Sequence, residues 1–255
     1  MNLRCRLLLL GIAVFLLNSN TRAETVPVSG GTFVMGCSDG NLDERPPRTV
    51  SVAPFSIYSH EVTESQYSEC VTLGKCTPAH YDDNFCRIWN GKRFERVRVP
   101  SSARNPDYPV VCVTWQQAQQ YCRTQGMFLP TEAQWEFAAR AGTTTRYPWG
   151  TAGPSERHCI VKRTHGPARV GTCQPNGWGL YDMIGNAWEW VKDYYNPQEY
   201  TSGEDQNPNG PETGFYRVIR GGGWYSQFNQ VEVANRQWFS PGFAEASIGF
   251  RCVKR

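Results

Sequence analysis

Residues Arg220 to Cys252 read RGGGWYSQFNQVEVANRQWFSPGFAEASIGFRC. Three glycines open the stretch, aromatic residues recur through it, and a cysteine closes it. Glycine runs place the backbone in turns that other residues resist. The upstream chain reads as the scaffold that holds this stretch. The functional question is whether the stretch carries out chemistry or presents a surface.

The chain is 255 residues long. Arg4 and Arg6 precede an apolar run from Leu7 to Leu17, and Thr21-Arg22-Ala23 ends on a small residue. This is the pattern of a secretory signal over residues 1–23. The run is short for a membrane span, so no transmembrane segment is expected after cleavage. Residues 24–255 are then one domain, with enough chain for one core. Removing Arg4, Arg6 and Arg22 takes the 26 basic residues to 23, equal to the acidic count. A near-neutral mature chain gives no footing for nucleic acid or an anionic membrane.

Cys5 falls in the signal, which leaves nine of the ten cysteines. In an exported chain these are expected to be oxidised. An odd number leaves one thiol over. Zinc is the rival reading, but the chain has no Cys-x-x-Cys pair.

Three helix starts share one signature. Thr63 precedes Gln66, Thr114 precedes Gln117, and Thr131 precedes Gln134. Each Thr-x-x-Gln is a capping box, which satisfies orphaned backbone donors at a helix start. The boxes predict helices from about Thr63 to Leu73, from about Thr114 to Gln125, and from after Pro130 to about Gly142, with Gly74, Gly126 and Gly142 as stops. Trp115, Ala118 and Cys122 recur at helical spacing, as do Trp135, Ala138 and Ala139, so both sets face a core. Gly30 to Gly36 reads as a turn feeding a short strand, and Thr49 to Ile57 and Phe215 to Arg220 read as strands. Asn41 to Arg48 and Asp193 to Glu212 read as polar loops, the second a long surface excursion. Beyond Gly142 no long helical pattern occurs.

Seven segments, in order, resemble one family: GGTFVMG at 30–36, EVTESQY at 61–67, PVVCVTW at 109–115, LPTEAQWEFAARAG at 129–142 with YPWG at 147–150, GLYDMIGNAWEW at 179–190, RVIRGGGW at 217–224 and IGFRC at 248–252. Together they resemble the formylglycine-generating enzyme (sulfatase-modifying factor) family. The resemblance implies an α+β fold, the loop-rich formylglycine-generating-enzyme variant of the C-type lectin fold.

It also implies a structural calcium ion held by Asp182, Gly185, Ala187 and Glu189. Oxygen-only donors of this kind suit a hard cation. A second family calcium site is not expected, because His158 to Cys173 lacks the acidic residue it needs. By the resemblance Cys122 and Cys252 form a disulfide. Cys159 and Cys173 are expected to close the loop that lost its calcium. Cys70–Cys76 and Cys86–Cys112 are the pairing adopted for the rest, among three possible connectivities, with Cys37 left over.

The family's enzymes use two cysteines and copper just after the glycine turn. Aligned at Gly221-Gly222, those places hold Ser226 and Val231, neither of which ligates soft Cu(I). Copper is therefore not expected, and the parent activity is not either. His60, His80, His158 and His165 do not fall at metal-ligand spacing. The expectation is a non-catalytic, periplasmic binding or regulatory module. Tyr225, Ser226, Phe228, Asn229 and Trp238 are its candidate surface, while Trp224 is read as core. The size and export also resemble TagR-type regulators of bacterial type VI secretion, which act upstream of a membrane Ser/Thr kinase, so the periplasmic part of such a kinase is the expected partner. The alternatives are an oxidative enzyme of pyoverdine-type siderophore maturation and a calcium-dependent glycan or peptide binder.

Overall fold

The computed structural model describes residues 24–101 and 104–255. The expected signal, residues 1–23, lies outside them. No helix among the described residues is long and apolar enough to cross a membrane.

The three capping boxes build three helices: α1 (Glu64–Thr72), α2 (Trp115–Thr124) and α3 (Glu132–Arg140). In each, the threonine side chain accepts the backbone N–H of the glutamine, which reaches back to the threonine N–H. Gly74 and Gly126 stop α1 and α2 with φ of 68° each. Helix α3 stops one residue early, at Ala141, which itself adopts the left-handed region.

Short strands surround these helices: β1 (Thr25–Val28), β2 (Gly31–Met35), β3 (Arg48–Val52), β4 (Phe55–Tyr58), β5 (Arg87–Trp89), β6 (Phe94–Arg96), β7 (Trp188–Tyr194), β8 (Arg217–Arg220), β9 (Arg236–Phe239), β10 (Ile248–Gly249) and β11 (Val253–Lys254). They form a three-stranded sheet β1-β4-β11, a four-stranded sheet β10-β7-β8-β9, and the hairpins β2-β3 and β5-β6. The run expected as one strand from Thr49 to Ile57 is two, β3 and β4. Ala53-Pro54 interrupts it, because proline offers no ladder donor. Asp193 and Tyr194 belong to β7 rather than to the expected loop. The remainder of that loop carries one helical turn, α4 (Glu199–Ser202), and is tied down where Ser51 N–H donates to the Asp205 carbonyl at 2.8 Å.

Two apolar clusters fill the interior. One joins α1 and α2 to Trp188, Trp190 and Phe250. The other joins α3 to Val191, Val218, Val231 and Val233. Helix α3 is buried along its whole length. Its carboxylates are matched by arginines rather than by water. Glu132 pairs with Arg236 at 2.6 Å, Glu136 with Arg140 at 2.7 Å and also with Arg220, and all are almost fully buried. Burial pushes the Glu136 carboxyl up, but Arg140 and Arg220 outweigh it and hold the group below the usual carboxylate range.

Among the described residues three disulfides are present: Cys70–Cys76, Cys86–Cys112 and Cys122–Cys252. The expected Cys159–Cys173 bridge is absent, and both are buried thiols. Cys159 packs into the second apolar cluster, beside the bridge between Ile160 and Gly185. The Cys173 thiol turns instead to the Glu156 carbonyl, at 3.7 Å. Burial, with the nearby Asp182 charge, pushes both thiols up to about 12. Among the described residues Cys37 is therefore one of three free thiols, rather than the single one left over.

Candidate functional site

The glycine turn leaves β8 at Arg220. Gly221 and Gly222 adopt φ of 95° and 86°, a region that L side chains avoid. A Cβ at Gly222 would meet Val231 Cγ1 at 2.4 Å, and one at Gly221 would meet the Met183 carbonyl at 3.0 Å. The Gly185 N–H donates to the Gly221 carbonyl at 2.9 Å, so the GLYDMIGNAWEW loop and the turn are one assembly.

The two positions that would carry reactive cysteines point inward. Val231 is 0% exposed and packs against Gly222. Ser226 is 1% exposed, and its Oγ accepts the Gly223 N–H at 3.0 Å. Ser226 is thus a turn-closing residue rather than part of the candidate surface.

The other surface candidates divide between two places. Tyr225 packs edge-on against Phe94, with ring centroids 5.4 Å apart, and stacks on Trp89 at 6.1 Å. Phe228, 39% exposed, lies under the Lys162 ammonium at 3.6 Å, and Asn229 is exposed beside it. Trp238, 36% exposed, stacks on Tyr195 at 4.0 Å in the edge strand β9. Trp224 is core, with its indole N–H donating to the Ala246 carbonyl at 2.8 Å. The sequence reading missed the β5-β6 hairpin that supplies Trp89 and Phe94. Asn90-Gly91 between two aromatic runs was its signal. It also missed Glu245, a buried carboxylate that accepts from Tyr225 Oη at 2.7 Å and Ser247 Oγ at 2.6 Å and fixes the Tyr225 ring.

The expected calcium donors are only partly arranged for an ion. Glu189 Oε1 accepts Arg251 Nε at 3.0 Å and Nη2 at 2.7 Å. Its Oε2 accepts Arg251 Nε at 2.8 Å and Trp135 Nε1 at 2.9 Å. The single Arg251 Nε–H is shared by the two oxygens, so three N–H donors meet about four acceptor sites, and Arg251 is the main partner of Glu189. Asp182 differs, because Gly171 N–H occupies Oδ2 at 2.5 Å while the buried Oδ1 has no hydrogen-bond partner. Among the described residues no three His, Cys, Asp or Glu side chains converge as an ion site. Copper chemistry has no thiolate pair at Ser226 and Val231 to support it.

Interlocked carboxylate–arginine pairs, a glycine-framed turn and stapled helices define a rigid loop-presenting scaffold whose cleft lacks its thiols. The chain belongs to the family of the sulfatase-modifying factor enzyme 1-like domain, which matches residues 15–255. Its fold is the α+β, formylglycine-generating-enzyme variant of the C-type lectin fold. It is 33% identical to the formylglycine-generating enzyme of Streptomyces coelicolor, over 92% of this chain and 90% of that protein. It is 35% identical to a serine/threonine-protein kinase of Chlamydia pneumoniae, over 91% of this chain but only 38% of the kinase. The chain thus spans well under half the length of that relative. Among solved structures, PvdO from Pseudomonas aeruginosa matches with a TM-score of 0.77 and 25% identity, over 91% of this chain and 94% of PvdO.

Proposed function

We propose that this chain is a non-catalytic periplasmic module of the family, a positive regulator of type VI secretion that acts upstream of a membrane Ser/Thr kinase. One observation carries the non-catalytic reading. The two positions that would hold the reactive cysteines are a buried valine and a buried, hydrogen-bonded serine. Neither offers a thiolate to copper or to a substrate. The surface left for recognition is the Trp89, Phe94 and Tyr225 cluster with Phe228 and Lys162 beside it. Rigid aromatic rings near a cation suit a protein partner. The similarity to a domain of a longer kinase chain supports the pairing with a kinase. Deleting the gene should lower both kinase phosphorylation and secretion, and unchanged values of both would overturn the reading. Alanine at Ser226 and Val231 together should leave the regulatory effect intact in folded protein. The Val231 change should cost roughly 2 kcal/mol of stability through the cavity it leaves.

The similarity to PvdO over nearly the whole chain favours a second reading, an oxidative enzyme of siderophore maturation. It predicts that purified protein consumes oxygen with a siderophore precursor. No oxygen uptake with such a precursor would remove it. A glycan or peptide binder dependent on calcium ranks third, and predicts sugar or peptide binding that a chelator abolishes.

A further inference from the structure

The β5-β6 hairpin concentrates positive charge in a chain whose residues 24–255 balance overall. From Arg87 to Arg98 it carries five basic residues and one acid, Glu95. Arg93 is matched by Glu95 at 2.7 Å and Arg98 by Asp82 at 2.8 Å. Arg87, Lys92 and Arg96 are exposed and make no ion pair among the described residues. A second basic segment lies along the backbone of Tyr225, whose ring packs on the hairpin. The Lys162 N–H donates to the Ser226 carbonyl at 3.2 Å, and the Arg163 N–H to the Trp224 carbonyl at 2.7 Å. Neither of these two side chains makes an ion pair among the described residues. Glu245 acts on Arg87, but it is buried and held by Tyr225 and Ser247. The aromatic surface is therefore flanked by cations whose countercharge must come from outside.

The hairpin also has an open edge. The Asn90 N–H donates to the Arg93 carbonyl at 3.1 Å, so Asn90–Arg93 and, one step further along the alternation, Ile88–Glu95 are the hydrogen-bonded pairs of the ladder. The main-chain groups of Phe94 and Arg96 then point away from β5, and no strand pairs with that edge among the described residues. Phe94 and Arg96 share one face of β6, since successive side chains alternate. A strand added there would set one residue beside an aromatic ring and, two residues on, another beside a guanidinium.

We propose that the free edge of β6 takes up an extended, acidic segment of a protein partner, with apolar and acidic residues two apart on the face that meets Phe94 and Arg96. Main-chain bonds to β6 would supply affinity, and the unpaired cations would select the charge. The assignment rests on the regulatory reading above and names the chemistry of the partner at that same surface.

The test is fluorescence anisotropy of a labelled peptide repeating Val-Thr-Glu-Thr, with the full chain at low salt. The peptide should bind, and more weakly as salt is raised. Its lysine counterpart, Val-Thr-Lys-Thr, should not bind. Lys92→Glu together with Arg96→Glu should weaken binding at least about tenfold, with circular dichroism showing the fold unchanged. An N-methylated backbone, which cannot donate to β6, should weaken it as much. Equal binding of the two peptides, equal binding by wild type and K92E/R96E, or equal binding of the N-methylated form would each overturn the assignment. So would vesicles of phosphatidylglycerol bound in preference to the acidic peptide. In cells, a deletion that lowers kinase phosphorylation and is fully restored by K92E/R96E would overturn the assignment alone. Phosphorylation unchanged by the deletion would instead overturn the regulatory reading beneath it.

Discussion

Asp193 is a buried carboxyl. It accepts the Glu132 backbone N–H at 2.8 Å at the start of α3. Burial, and after it the Glu132 charge, push its carboxyl up to about 7. Lys192 and Glu199 are the other charged groups that act on it. A carboxyl raised on folding binds its proton more tightly in the folded state. Its contribution to stability is therefore full below about pH 4, where the unfolded group also holds a proton, and is lost as pH rises to about 7 and beyond. Asp193→Asn keeps an acceptor for the Glu132 N–H and removes the titration. The variant should show a flatter fall of Tm across that window than the wild type; a parallel fall in both would refute the assignment. The free thiols make a second case. Cys37 is half-buried and donates to Glu44 Oε2 at 3.6 Å, and burial with the Glu44 charge pushes it up to about 11. Native protein should therefore be labelled at Cys37 alone, slowly at neutral pH and faster as the solution is made alkaline. Cys159 and Cys173 should react only on unfolding, which peptide mapping by mass spectrometry would show.

Helix α3 shows what the sequence discloses of an element and what it hides. Its start is legible because Thr131 and Gln134 cap each other through local bonds that depend on a spacing of three. Its apolar face is legible from Trp135, Ala138 and Ala139. Its burial on every side is not, because Glu132, Glu136 and Arg140 look like a solvated face in isolation. The distant arginines that pair with Glu136 and Glu132, Arg220 and Arg236, lie far along the chain. The same holds at the site. Asp182 and Glu189 were legible within one motif, but the engagement of Glu189 by Arg251 is a long-range fact. Strand β7 was missed for a related reason: buried on both faces over Trp188 to Val191, it shows no alternation. Because the arginines around α3 are buried, removing a partner leaves charge with nowhere to go. Glu136→Gln should cost about 3–5 kcal/mol, read as a lower midpoint in urea. A loss below about 1 kcal/mol would show that the pair contributes no more than an exposed one.

Across the molecule, the disulfides differ in how much chain each one closes. Cys122–Cys252 spans 130 residues and joins α2 to the segment that leads into β11, which pairs with β4. Cys86–Cys112 spans 26 residues and Cys70–Cys76 spans 6. A cross-link stabilises mainly by restricting the unfolded chain, and the restriction grows with the logarithm of the loop. Chain entropy then gives about 5, about 3.5 and about 2 kcal/mol for the three bridges in that order. The family resemblance pointed to the longest bridge, whereas the two shorter ones were one choice among three connectivities, since spacing alone does not rank the pairings. The staple also closes the site. Arg251, next to Cys252, is the guanidinium that occupies Glu189 and donates to the carbonyls of Ser59 and Tyr181. Loosening the bridge therefore loosens the Arg251–Glu189 pair. Paired alanine substitutions should rank in the order 122/252, 86/112, 70/76 in stability lost to urea. An equal loss for all three pairs would mean that native packing, rather than chain entropy, sets what each bridge contributes.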